Sequence, residues 1–132
     1  MSKQVYLVNE YITVDFDDVA CAVVAKWLVS PTSEEFRKGL EAMLEAMKKF
    51  RTGKLLVDTT FLGAIMEEDQ KWAAIDWYNK AREVGYNKIA MVVPTDIFTQ
   101  LSVQNTMESV HEQIIDTANF DNIESALAWI SH

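Results

Sequence analysis

Leu55-Leu56-Val57 stops abruptly at Asp58-Thr59-Thr60, and a second apolar run, Ile89 to Val93, stops at Pro94. A short apolar run bounded by polar or turn residues reads as a strand buried on both faces. Between the two runs lies a stretch opening on Glu67-Glu68-Asp69 and closing at Gly85, with apolar residues at helical spacing. Two buried strands separated by a helix cannot form a hairpin. They need a crossover, and a crossover makes a parallel sheet. Ligand and partner sites of such sheets sit at the carboxyl ends of the strands, which draws attention to Asp58, Thr59 and Thr60.

The remaining elements follow from the same patterning. Gln4 to Asn9 and Tyr11 to Phe16 are rich in strand-forming residues, and the second alternates with period two. Asp15-Phe16-Asp17-Asp18 supplies turn chemistry before the apolar run Ala20 to Val29, which predicts a hairpin. Thr32 with Glu35 forms a capping box for an amphipathic helix carrying Phe36, Leu40, Met43, Leu44, Met47 and Phe50. Arg51, Thr52 and Gly53 provide its stop. A third helix is expected over 97–115, with Val103, Met107, Val110 and Ile114 inward. Asn119-Phe120 adds a short strand, and Asp121 with Glu124 caps a terminal helix anchored by Ile123, Leu127 and Ile130. The order β-β-β-α-β-α-β-α-β-α predicts a single α/β domain over 1–132, a mixed sheet opened by a hairpin and continued by βαβ crossovers.

Charge and cysteine content narrow the function classes. Twelve Lys and Arg against twenty Asp and Glu give a formal net charge of -8. That balance argues against a nucleic-acid backbone or an anionic membrane surface as partner. The single cysteine, Cys21, excludes an internal disulfide, and its apolar neighbours suggest a small buried hydrophobe. No run is long enough for a membrane span, and the start lacks a signal-peptide core, so a cytoplasmic protein is expected.

Chemistry-bearing residues are sparse. Asp58, Thr59 and Thr60 form either a ligand anchor or a turn in which Asp58 and Thr59 satisfy backbone N–H groups of the next loop; the turn is preferred. Asp15, Asp17 and Asp18 lack the glycine and distal glutamate of a calcium loop and read as a solvated hairpin turn. His111 and His132 make neither a metal cluster nor a triad, His111 reading as half-buried in the third helix. The four glycines, Gly39, Gly53, Gly63 and Gly85, are isolated and cradle no phosphate. No cofactor is called for.

The second helix holds an anomaly. Ala73, Trp77, Ala81 and Val84 share one side, flanked by Ala74 and Tyr78, while Trp72 and Ile75 fall on the outer side. Trp72 and Ile75 therefore form a contact site, or Trp72 folds back onto the apolar loop of Phe61, Leu62, Ile65 and Met66.

Lys54-Leu55-Leu56-Val57-Asp58-Thr59, then Asp69-Gln70-Lys71-Trp72, then Ile89-Ala90-Met91-Val92-Val93, and the closing 120–130 segment FDNIESALAWI carry a family likeness. In this order they resemble the SpoIIAA-like fold of the STAS domains, and more closely the small stand-alone bacterial SpoIIAA-like proteins. The resemblance implies a regulatory module working by protein contact. A phospho-regulated antagonist of that family carries an Asp-Ser-Ser-Gly-like turn at the helix start, where this chain has Glu67-Glu68-Asp69-Gln70, so the resemblance does not extend to a phosphorylation switch. The same fold class includes the CRAL-TRIO lipid carriers, an analogy that leaves an apolar-ligand role open.

Two principal functions compete. The first is a non-enzymatic, self-associating module (a homodimer) that presents Asp58, Thr59, Thr60, Asp69, Trp72 and Ile75 at one edge. The second is a carrier of a small apolar ligand, lined by Phe61, Leu62, Met66, Trp72 and Phe98. A hydrolase or isomerase using Asp58 is the weakest alternative.

Overall fold

The computed structural model describes residues 3–97 and 115–132. Within them lies one six-stranded mixed sheet whose spatial order follows the chain: β1 (Lys3–Val8), β2 (Ile12–Asp17), β3 (Ala22–Trp27), β4 (Lys54–Asp58), β5 (Lys88–Val92) and β6 (Asp116–Phe120). β1, β2 and β3 are antiparallel, whereas β3, β4, β5 and β6 run parallel. The two apolar runs are neighbours as expected, with Leu55 beside Ile89 and Val57 beside Met91. The last strand is longer than Asn119-Phe120 and pairs with β5 over its whole length.

α1 (Ser33–Phe50) connects β3 to β4, and its start is the expected capping box: the Thr32 hydroxyl accepts from the Glu35 N–H, and a Glu35 carboxylate oxygen accepts from the Thr32 N–H. Its buried face, Phe36, Gly39, Met43, Ala46 and Met47, lies on Ile12, Val14, Val23, Ala25, Trp27, Leu55 and Val57. Gly39 is required there, because a Cβ at that position would run into the indole of Trp27, itself fully buried. The helix stops two residues earlier than the glycine suggests. Arg51 adopts the left-handed conformation (φ 56°) as its cap, and Gly53 serves a different purpose. A Cβ on Gly53 would collide with the Gly85 carbonyl, and the Gly53 carbonyl accepts from the N–H groups of Asn87 and Lys88.

The connection from β4 to β5 packs on the same face as α1, as right-handed crossovers between successive neighbouring strands require. It comprises α2 (Glu67–Trp72), a π-helical turn (Ala73–Trp77) and α3 (Tyr78–Glu83), and Gly85 ends it at φ 99°. On the opposite face α4 (Ile123–Ile130) lies over Leu56, Ala90 and Val92. Small residues at Ala22, Ala90 and Ala126 let that helix approach closely. Its cap is Asn122, whose side-chain oxygen accepts from the Ser125 N–H at 2.8 Å; the Asp121–Glu124 box expected from the sequence is replaced by this one. Lys88 closes the other end, donating to the Trp129 carbonyl and lying over its ring.

Three local expectations are corrected. Asp15 is not a solvated turn residue: it sits inside β2, 6% exposed, paired with Lys3 at 3.5 Å. Asp17 also belongs to β2, and its carboxylate accepts from the N–H groups of Val19 and Ala20 to shape the turn. Cys21 is exposed rather than buried, in a left-handed conformation (φ 55°) just before β3, since the hairpin needs a tight reversal there. Of the expected third helix, residues 95–97 are described and helical and Ile115 is described outside any helix, whereas 98–114, with Phe98, His111 and Ile114, lie outside the described residues.

Candidate functional site at the carboxyl edge

The carboxyl ends of β3, β4 and β5 bring three loops together. At the centre, Asp58 closes its own turn: one carboxylate oxygen accepts from the Thr60 N–H at 3.0 Å and from the Thr60 hydroxyl at 2.6 Å. Thr59 reaches sideways instead of along its loop, its N–H and its hydroxyl both donating to the Val92 carbonyl at 2.8 Å. This trio therefore clamps β4 to β5 and shapes the turn, the Asx geometry expected of an Asp followed by hydroxyls. Beyond it the loop is pinned to the end of β3. The Ser30 hydroxyl donates to the Phe61 carbonyl at 3.3 Å, and Gly63 (φ 74°) passes so near Ser30 that a Cβ would lie 2.7 Å from its oxygen.

Pinned in this way, the loop cannot turn all of its apolar residues inward. Leu62 and Ile65 point toward the sheet, while Phe61 (62% exposed) and Met66 (60%) stand in solvent. Ile75 on the following helical segment is also 60% exposed, and Leu28, Val29 and Ile97 are exposed on the neighbouring loops.

Trp72 is half-buried and keeps part of the outer position expected for it, lining a surface crevice with Ile75 and Arg37. Its ring lies beneath the guanidinium of Arg37 from α1, 5.0 Å away, half-buried against the α1 side of the core. The π-helical turn is the reason. Its defining bond joins the Tyr78 N–H to the Ala73 carbonyl, five residues back. Residues five apart then come nearly into line, whereas in a straight α-helix they diverge. Trp72 is thereby rotated from the outer side toward α1. Asp69 is drawn into the same junction: 3% exposed, it accepts from Arg37 Nε and from the Ser33 hydroxyl, each at 2.9 Å. The Arg37 hydrogen bond, seconded by that of Ser33, holds the Asp69 carboxyl below its usual range against the opposing effect of burial. Arg37 and Ser33 lie far from Asp69 in sequence, and no local pattern announces the pairing.

Under the loop the same arrangement leaves an apolar groove of about 400 Å³. Its floor is Leu55, Val57, Ile89 and Met91, its walls Leu62 and Ile65 on one side and Trp77, Tyr78 and Tyr86 on the other. None of its described lining residues is charged. A second crevice, about 520 Å³, shares Thr59, Leu62 and Met91 with it and opens at the carboxyl edge beside Thr60, Pro94 and Asp96. The Trp77 indole N–H is satisfied by the Leu40 carbonyl of α1 at 2.6 Å. Tyr86, only 8% exposed, packs edge-on against Trp77 and Tyr78, and burial, seconded by the field of Tyr78, pushes its phenol pKa up.

The residues singled out from the sequence therefore divide. Leu62 and Thr59 line the groove, Phe61 and Met66 stand in solvent, Ile75 lines a separate surface crevice with Trp72 and Arg37, Asp58 and Thr60 build the turn, and Asp69 and Trp72 lock α2 to α1. Phe98 lies outside the described residues. Tyr86, Met91 and Gln70 were not legible as site residues: Met91 and Tyr86 join the groove only through the pairing of β4 with β5, and Gln70 only through the packing of α2 over that pair. Among the described residues no group of three metal-ligating side chains occurs, and no helix is long and apolar enough to cross a membrane. Comparison with family models, with curated proteins and with solved structures finds no match.

Proposed function

We propose that this chain is a non-enzymatic binding module of SpoIIAA-like type that acts by protein contact, a second copy of itself being the first partner to test. The observation that carries the reading is the exposure of Phe61 and Met66 on a loop whose polar neighbours, Asp58, Thr59 and Thr60, are engaged in holding it, with Ile75 exposed on the helical segment that follows. Large apolar side chains on a pinned loop cost little further ordering on association, and aromatic and Met residues are favoured at interface centres. The absence of a hydroxyl at the Glu67-Glu68-Asp69-Gln70 helix start separates this module from a phosphorylation-switched one. Sedimentation equilibrium on the purified chain tests it. A dimer that Phe61→Ser with Ile75→Ser converts to monomer supports the reading, and a wild-type chain that stays monomeric at high micromolar concentration defeats its self-associating form.

A second reading, a carrier of a small apolar ligand, is favoured by the groove beneath the same loop. A cleft of about 400 Å³ with uncharged walls falls within the size range of small-molecule sites. Its lining differs from the one expected: Leu62 belongs to it, but Phe61 and Met66 face away.

A further inference from the structure

We infer that the groove over β4 and β5 takes an uncharged, elongated, largely apolar molecule bearing one hydrogen-bonding group, and that the Tyr86 hydroxyl binds that group. The inference rests on the carrier reading and names the ligand class and the residue that reads it. Three observations converge on it.

The first is shape. From Leu55 to Thr59 the groove follows β4 and so extends about 13 Å at the usual strand rise. Tyr86 precedes β5 and marks the end at the amino edge, while Thr59, Leu62 and Met91 mark the open end at the carboxyl edge. An extended chain fits such a slot better than a compact ring system.

Charge is the second. No lysine, arginine or histidine is among the described lining residues, and no carboxylate either. Arg82, on α3 beside the groove wall, lies over the ring of Tyr78, 5.8 Å from its centroid. Against the described lining a fatty carboxylate or a phosphate would find no counter-charge, which an apolar cleft penalises heavily. A neutral alcohol, ester or amide would not suffer that penalty.

The third is the Tyr86 hydroxyl itself. The side chain as a whole is more than nine-tenths buried, but its hydroxyl is bonded to none of the described residues and keeps some contact with solvent, while other polar groups of the same wall are satisfied: the Trp77 indole by Leu40, the Gln70 amide by the Ile65 carbonyl, the Thr59 hydroxyl by Val92. A hydroxyl that reaches the cleft surface without a bond to the described residues can exchange its solvent contact for an acceptor on a bound molecule. Its raised pKa keeps it protonated, and hence a donor, throughout the neutral range.

Isothermal titration of the purified chain with 1-decanol and, separately, with decanoate at pH 8 tests the inference. The expected result is saturable 1-decanol binding, at least about tenfold weaker decanoate binding, and a two- to tenfold (~) loss of decanol affinity in Tyr86→Phe, the cost of one hydrogen bond. Ala74→Trp, which fills the groove, should abolish binding. Decanoate binding as tightly as decanol overturns the charge selection, and unchanged affinity in Tyr86→Phe overturns the anchor, in both cases with the groove still a binding site. Failure of the wild-type chain to bind 1-decanol overturns the carrier reading and the inference with it.

Discussion

α1 and the α2–α3 segment do the same topological job, each carrying the chain from one parallel strand to the next across the same face, yet they meet the sheet differently. α1 lies close: Met43, Ala46 and Met47 are fully buried, and Gly39 clears space for Trp27. The second segment stands off, leaving Ile89 and Met91 only half-buried beneath it. Two features separate them. α1 is a regular helix with a small residue at its closest approach, whereas the second carries a π-helical turn that directs Trp72 and Asp69 toward α1. The helix thus spends its bulky residues on its neighbour rather than on the floor below. Close packing gives stability, and a registered irregularity gives room.

If that contrast is real, equal cuts into the two regions must have unequal effects. Met47→Ala on the buried face of α1 should cost about 3 kcal/mol, the usual outcome of emptying a packed site, whereas Met91→Ala in the groove floor should cost under about 1 kcal/mol; urea unfolding measures both. Equal losses would break the comparison. Gly39→Ala should destabilise by about 1–2 kcal/mol, because overpacking against Trp27 outweighs the gain in helix propensity. The opposite operation on the second segment, Ala74→Leu, should lie within about 0.5 kcal/mol of the wild type or stabilise it, since the added carbons enter open apolar space.

The junction between the two segments sharpens the same point through pH. Asp69 is held below its ordinary value of 3.8, so its contribution is complete above that value and is lost as pH falls through the lower folded-state value. Asp69→Asn should therefore be less stable than the wild type near neutrality, and the gap should narrow on acidification below about pH 4. A gap independent of pH would mean that the Arg37–Asp69 pair contributes nothing through charge.

Much of this fold was legible because its signals are local. The Thr32–Glu35 box, the stop at Gly85 and the apolar runs at 55–57 and 89–93 each carry their reason within a few residues. What escaped is non-local or irregular. Asp15 reads as a turn acid until Lys3 is brought across from β1, and Cys21 reads as buried until the hairpin forces its backbone left-handed. Projection onto a straight helix put Trp72 outside, because nothing in AAIDW announces a π-helical turn. At the carboxyl edge, Asp58 and Thr60 build the turn preferred from the sequence, whereas Thr59 reaches across to Val92 of β5, and Tyr86 was invisible until β4 and β5 were paired.

The most direct test is methyl NMR of the native chain under xenon pressure, since xenon enters apolar cavities without requiring any polar contact. The account expects shifts at the Ile89 and Met91 methyls and none at Ile12 and Met47, which are fully packed under α1. Silence at Ile89 and Met91, or shifts of similar size at all four, would contradict it.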